Sequence, residues 1–383
     1  MLALATVGFA VSFWAWALLS PLGPTLRADL GLTSFEQSLL VALPVVIGSL
    51  GRIPVGALTD RLGARRMFPA VAALTIVPVL YLGHLADTYA EFLIAGFFLG
   101  LGGTTFAIGV PFVNSWYPPH RRGLALGIFG TGMGGTAISA FSTVQLAESV
   151  SRSFPFDLVA IALAIYAIVA ARLLRDRPDR PVSTGSVLSR TLATLRTPVA
   201  LQLSLLYAVA FGGFVAFSVY LPTYLTTAFG LARSDAALRT AGFVLLAVAM
   251  RPVGGWLSDR LHPVPVLVAG FLAVAALALV ASLELPLMPI GTIAFLGLAA
   301  ALGSGSGAVF ALVARVVPAD RVGSVTGVVG AAGGLGGFFP PLVMGAIFGL
   351  LDDYSWGLVL LAATAALAGL FTVTAFGHRR VAA

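Results

Sequence analysis

The chain has no cysteine and no lysine, and only 10% of its 383 residues are charged. Without cysteine, disulfides and thiolate metal sites are excluded. A soluble domain carries about 25% charged residues, so this supply does not cover a water-exposed surface. With 59% hydrophobic residues and a mean hydropathy of +1.01, the chain reads as one that lives in lipid. Histidines are few as well: His84, His120, His262 and His378 all lie at the ends of apolar runs or in the tail. No nucleophile–base set and no metal-ligand cluster converges, so neither an enzymatic reaction nor a cofactor or metal is expected. The chain opens directly into an apolar run with no small-residue cleavage site, which reads as a first helix and not a signal peptide.

What is present is a long series of apolar runs and a set of arginines. A helix needs about 20 apolar residues to cross about 30 Å of hydrocarbon. Twelve such runs fall at 3–22, 38–58, 67–85, 92–113, 122–145, 155–174, 198–222, 238–257, 264–283, 288–313, 322–350 and 355–377. The formal charge of +7 would suit nucleic acid, but all 22 cationic side chains are arginines and their placement follows a membrane topology. With both termini cytoplasmic, sixteen fall in inner loops and tails, and only Arg27, Arg152, Arg233 and Arg239 fall outside. That asymmetry satisfies the positive-inside rule. The expectation is a multi-pass protein of the cell's inner (plasma) membrane, with the lipid bilayer as its environment, no nucleic-acid partner and a monomeric state.

The polar, proline-broken stretch 175–197 reads as a linker. It separates an N-terminal six-helix bundle, 1–174, from a C-terminal one, 198–383. The two halves repeat each other. Arg52 stands eight residues before Asp60-Arg61-Leu62, and Arg251 stands eight before Asp259-Arg260-Leu261. Gly123, Gly127 and Gly130 recur as Gly323, Gly327 and Gly330, an offset of 200. Repeats of this kind mark transporters whose substrate site lies between the halves near mid-bilayer.

Arg52 and Arg251 are the two arginines left inside the membrane. Eight helical residues rise about 12 Å, so both lie near mid-depth if Asp60 and Asp259 mark the boundary. A charge there costs about 2.5–3.5 kcal/mol even on lenient scales. No Asp or Glu falls within the core of any run to neutralise them; the nearest, Glu148 and Glu284, are at outer ends. Snorkelling does not cover the distance to water. The counter-charge is therefore expected to be mobile, an anionic substrate. Two cations about 8 Å apart repel by roughly 2 kcal/mol at an effective dielectric near 20, and an anion about 4 Å from each gains roughly 4 kcal/mol per arginine before desolvation. The guanidinium fork suits a planar oxyanion. Glycine-rich faces around Gly127, Gly130, Gly327 and Gly330 are expected to let the helices approach and slide.

The segment Gly56-Ala-Leu-Thr-Asp-Arg-Leu-Gly-Ala-Arg-Arg66, with its degenerate copy Gly255-Trp-Leu-Ser-Asp-Arg260, resembles the loop motif of the major facilitator superfamily. The resemblance implies that fold, an all-α protein of twelve transmembrane helices in two pseudo-symmetric bundles. It also implies gating roles for Asp60, Arg61, Asp259 and Arg260. A narrower resemblance rests on Gly100-Leu-Gly-Gly-Thr-Thr-Phe-Ala-Ile-Gly109, on Gly303-Ser-Gly-Ser-Gly307, on the helix-seven run from Leu206 to Ser218, and on Gly336-Gly-Phe-Phe-Pro340. These are similar to the nitrate/nitrite porter family. The likeness implies that Arg52 and Arg251 hold the anion, with Phe106, Tyr207 and Phe13 as its aromatic neighbours. The chain departs from the family pattern at Thr105, where asparagine is frequent, and at Phe129 and Met133, where relatives carry asparagine; Asn114 and Ser139 are the nearby polar groups that could take over.

Proton symporters usually carry an intramembrane carboxylate or histidine. None is present at mid-depth here, so exchange of nitrate against nitrite by rocker-switch alternating access is expected. The alternatives are proton-coupled nitrate symport and carriage of another small anion, such as cyanate or an organic carboxylate. A proton-driven drug exporter would require buried acidic residues.

Overall fold

A computed structural model describes residues 1–178, 194–317 and 322–377. Most of the linker, together with Arg180, Arg190, Arg321, His378, Arg379 and Arg380, lies outside the described residues. The described chain is all helical, and eleven helices are long and apolar enough to cross a membrane. In chain order α1 is Leu2–Leu30, α2 Ser34–Leu62, α3 Ala64–His84 and α4 Tyr89–Trp116. Then α5 runs through Pro119–Gly130, Thr131–Gly134 and Gly135–Ser149 in succession, and is the twelfth span. The remainder are α6 Phe154–Leu173, α7 Pro198–Phe229, α8 Arg233–Leu261, α9 Pro263–Ser282, α10 Leu287–Val316, α11 Val322–Gly336 with Phe339–Leu351, and α12 Ser355–Phe376.

Each helix reverses the direction of the last, so Leu2, Asp60, Asp259 and Phe376 share one face, called here the terminal face. Helix starts carry their own signals. Thr33 with Glu36 at α2, and Thr88 with Glu91 at α4, form reciprocal capping boxes, satisfying backbone N–H groups that a helix end leaves open. Gly31 and Gly230, at φ +63° and +62°, close α1 and α7 in the left-handed conformation.

Several spans are longer than their apolar runs predict, and in the first, seventh and eighth the extension takes in residues expected in loops. The first continues to Leu30, which puts Arg27 in its last turn and not in a loop, where a cation suits the helix dipole. The seventh continues to Phe229 and the eighth begins at Arg233. Arg239, expected in an outer loop, is thus a helical residue paired with Asp235 one turn away at 3.0 Å. Local pairing lets a polar turn extend a helix past the hydrocarbon, and an apolar run does not reveal this.

The halves differ in continuity. In the first, α1 breaks at Ala17–Leu18, α2 at Gly51, and α4 and α5 tighten into 3₁₀ stretches at Gly100–Thr104 and Thr131–Gly134. In the second, α7 and α8 run unbroken for 32 and 29 residues, and α11 breaks at Gly337–Phe338. Breaks near mid-span free backbone carbonyls beside the central cavity, where irregular backbone is tolerated in a membrane.

Contacts between the halves cluster away from the terminal face. Ser20 Oγ donates to the carbonyls of Ser218 (3.1 Å) and Val219 (2.6 Å), and Gln37 Nε2 donates to Thr223 Oγ1 at 2.8 Å. α11 lies so close to α2 there that a Cβ on Gly345 would overlap Ser38. Toward the terminal face, by contrast, a Cβ on Gly127 or Gly327 would meet nothing within 4 Å. Among the described residues, contacts between the halves thus lie mostly away from the face that carries the termini.

Candidate anion-binding site

Arg52 is the first residue after the break at Gly51. Its Nη1 donates to the carbonyl of Gly330 at 2.8 Å and its Nε to that of Gly103 at 3.4 Å. The guanidinium carbon lies 5.1 Å from the Phe106 ring centroid. Gly103 belongs to the 3₁₀ stretch of α4, whose neighbouring carbonyls are already used: Thr104 Oγ1 donates to Leu101 O and Thr105 Oγ1 to Gly102 O, each at 2.7 Å. Thr105 therefore spends its hydroxyl locally and offers no donor to a ligand.

Arg251 projects from the continuous helix α8. Its Nη2 donates to the Tyr207 hydroxyl at 2.9 Å, its Nη1 contacts Met133 Sδ, and its guanidinium carbon lies 5.1 Å from the Phe211 centroid. Each arginine thus has an aromatic face beside it, and each reaches into the opposite half. Arg52 of the first half meets Gly330 on α11; Arg251 of the second meets Met133 on α5. Those segments are equivalents in the 200-residue repeat. No carboxylate among the described residues accepts from either guanidinium.

Aromatic rings build the walls. Tyr207 is buried and stacked on Phe211, with centroids 4.9 Å apart and planes at 6°. Phe13 is buried edge-on to Phe9 at 4.4 Å, and Phe9 in turn stacks on Phe129 at 4.7 Å. Phe13, Trp16, Ser49, Arg52, Phe211 and Gly334 line a cavity of about 10 Å³ between the halves, room for a single water. All five residues predicted for the site, Arg52, Arg251, Tyr207, Phe106 and Phe13, lie in this one cluster. Gly330 belongs to it as well, since a Cβ there would stand 3.5 Å from Phe106 and 3.9 Å from Arg52 Nη1.

Other residues lie elsewhere. Gly127, Gly130 and Gly327 face open space and pack against no other helix in this state. Close packing is instead made by glycines such as Gly333 against Tyr207. Asp60 and Arg61 lie at the end of α2, and Asp259 and Arg260 at the end of α8, both at the terminal face and about 12 Å from the arginine pair by helical rise. Arg260 lies 4.2 Å over the Trp256 ring. Arg315 donates to the carbonyls of Ser258 and Asp259 at 3.2 and 3.4 Å. Neither polar substitute reaches the arginines. Ser139 pairs with Thr143 at 3.1 Å, and Asn114 lies eight residues beyond Phe106 toward the terminal face.

Sequence reasoning missed Phe211 and Trp16 as site residues, and took Met133 only as a lost amide. Phe211 carried a signal: it follows Tyr207 by four residues, which puts both on one helix face, and it follows Phe13 by 198, close to the repeat offset. Met133 carried none, because its contact is made across the interface of the halves.

Two pseudo-symmetric six-helix bundles around a central cationic cavity define a secondary transporter of the alternating-access class. The sequence matches the Major Facilitator Superfamily over residues 5–341 and again over 203–382. It is 51% identical over 374 residues to the probable nitrate/nitrite transporter NarK2 of Mycobacterium tuberculosis, covering 97% of this chain and 95% of that one. It is 36% identical over 380 residues to the nitrite extrusion protein of Bacillus subtilis, covering 99% and 95%. Among solved structures, a bacterial homolog of the human lysosomal transporter Spinster, inward-facing and occupied, superposes with a TM-score of 0.76 at 18% identity, over 98% of this chain and 96% of that one. The chain belongs to the major facilitator superfamily and, within it, to the nitrate/nitrite porter family that the first two relatives represent. It is a membrane transporter and not an enzyme.

Proposed function

We propose that the chain exchanges nitrate for nitrite across the inner membrane, with both termini cytoplasmic and Arg52 and Arg251 as joint ligands of the anion. One observation carries the reading. At equivalent positions of the two halves stand two mid-membrane guanidinium groups whose partners are carbonyls, a phenol and a thioether, with no carboxylate among the described residues. A thioether is a weak acceptor, and neutral carbonyls do not cancel a charge. An oxyanion supplies both charge and acceptors, so it outcompetes these partners for the forks. The names of the relatives point to the same pair of anions.

The cavity of about 10 Å³ is too small for an anion of four heavy atoms. Binding therefore requires Arg52 to leave Gly330 O and Arg251 to leave Met133 Sδ. Phe106 and Phe211, each beside one guanidinium, then serve as walls of a flat slot, with the Tyr207 hydroxyl as a donor at its edge. The bundles 1–174 and 198–383 act as the two rocking bodies of a monomer. Closure at the terminal face brings the helices around Gly127, Gly130, Gly327 and Gly330 together, and Asp60, Arg61, Asp259 and Arg260 contribute to that gate. Exchange follows from charge: without the anion, bringing the two cations together costs roughly 2 kcal/mol at about 8 Å, and among the described residues no buried carboxylate or histidine is at hand to relay a proton.

The test is counterflow in proteoliposomes. Nitrate uptake should require internal nitrite or nitrate and be insensitive to collapse of a proton gradient. Uptake that needs the proton gradient but no internal anion would overturn exchange.

A further inference from the structure

Ser49 is buried on α2, three residues before Arg52, and the two line the cavity between the halves together. Residues three apart share one face of a helix, and both of these meet α11. Arg52 Nη1 donates to the Gly330 carbonyl, while a Cβ on Gly334, one turn further along, would overlap Ser49 Oγ. The glycine at 334 therefore keeps room for a hydroxyl between α2 and α11.

That hydroxyl is not used within the protein. Only 1% of Ser49 is exposed, and its Oγ makes no hydrogen bond among the described residues. Other buried hydroxyls on these helices turn back to the carbonyl four residues earlier, as Thr75, Thr240, Ser258 and Ser306 do at 2.7 or 2.8 Å. Such a return bond spends the donor locally. Ser49 does not make it, so its donor stays free beside the cavity, where an unsatisfied buried group is costly. Packing does not explain the choice, because alanine fits beside Gly334 with no donor left over. The cavity of about 10 Å³ has room for one water, which is the competing partner for the hydroxyl.

The repeat shows what the hydroxyl adds. Arg251 has a phenol beside it, Tyr207, whose oxygen accepts from Nη2 at 2.9 Å. At the offset of 198 that pairs Phe211 with Phe13, Tyr207 pairs with Phe9, which has no hydroxyl. Conversely, the residue three before Arg251 is Val248, which is apolar and partly buried. Each half thus places one hydroxyl near its arginine, the second from α7 and the first from α2.

We infer that Ser49 is a further ligand of the transported anion, its hydroxyl donating to an oxygen of the nitrate or nitrite that Arg52 holds. The assignment rests on the reading of Arg52 and Arg251 as joint ligands. In the empty protein the hydroxyl adds nothing to stability. With the anion bound it makes a charge-assisted hydrogen bond, and this difference separates a ligand from a packing residue.

The test is titration calorimetry of the purified full-length protein with sodium nitrate, with melting recorded in the absence of anion. Ser49→Ala should bind nitrate about tenfold more weakly and melt, without anion, at or above the parent's temperature. Parent-like nitrate affinity in Ser49→Ala would leave water as the partner and overturn the assignment. So would anion-free melting well below the parent's, which marks the hydroxyl as structural. Arg251→Gln, measured alongside, tells the two readings apart. Lost binding in Arg251→Gln with parent-like binding in Ser49→Ala removes Ser49 alone from the site. Parent-like binding in Arg251→Gln removes the joint-ligand reading, and the serine assignment with it.

Discussion

Replacing Arg251 by lysine keeps a positive charge on α8 and removes the planar fork. In the structure the two terminal nitrogens do different work: Nη2 donates to the Tyr207 hydroxyl at 2.9 Å, and Nη1 rests on Met133 Sδ. The plane between them also lies against Phe211, with the guanidinium carbon 5.1 Å from the centroid. A lysine ammonium has three donors on one nitrogen, so it does not hold two oxygens of a flat anion in parallel. The loss is one charge-assisted hydrogen bond, about 1.5–3 kcal/mol, and part of a cation–π contact, about 0.5–1 kcal/mol. Together this is about 3 kcal/mol, on the order of 100-fold in nitrate affinity. The long-range attraction common to both side chains is retained, so Arg251→Gln should be worse than Arg251→Lys. The assay is nitrate-dependent thermal stabilisation of the purified protein, checked by counterflow. Without anion the lysine variant should melt close to the parent; with nitrate it should gain far less. Arg52→Lys should behave alike, since it also loses the two-nitrogen fork and the guanidinium plane beside Phe106. A lysine variant at either position that binds nitrate within about threefold of the parent would refute fork recognition.

Tyr207→Phe removes one donor but leaves the stacked ring on Phe211, so stability should be retained while nitrate affinity falls about tenfold, near the upper range for one hydrogen bond; titration calorimetry reads both. A Cβ at Gly127 or Gly327 would meet no atom within 4 Å, so Gly127→Val and Gly327→Val should fold with parent-like melting but lose exchange; because the chain has no cysteine, a single cysteine introduced near the terminal face should stay permanently reactive toward a thiol probe. Glu284, in the turn before α10, has its carboxyl raised above the usual carboxylate range by burial and then by Asp353. The folded protein therefore favours its protonated form, stability is greatest below the unfolded value of 4.5, and it declines as pH rises through the folded value. Glu284→Gln should raise the melting temperature at neutral pH and flatten its dependence on pH.

The site was more legible in the sequence than its state. Arg52 and Arg251 stood out because a charge in an apolar run is costly and because the repeat placed them at matching depth. Tyr207, Phe106 and Phe13 became candidates only through family resemblance, and Phe211 was within reach of the repeat offset but was not drawn from it. The ends of α1, α7 and α8 were misjudged because a polar helical turn stabilised by a pair such as Asp235–Arg239 is invisible to hydropathy. Of the four glycines expected on sliding faces, Gly330 stands beside Phe106 and Arg52, whereas Gly127, Gly130 and Gly327 face open space.

Counting spans, placing arginines along them and aligning the two halves needs only the rise per residue and the cost of charge in hydrocarbon, both properties of the local chain. Amino-acid order alone thus determined a twelve-helix carrier with a cationic pair at its middle. It did not determine what those cations touch. Gly330 is 278 residues from Arg52 and Met133 is 118 from Arg251, and such partners are chosen by how two bundles lean on one another. Tertiary structure decided that, because a guanidinium donor in lipid must find some acceptor, and only the packing of the halves says which acceptors are within reach.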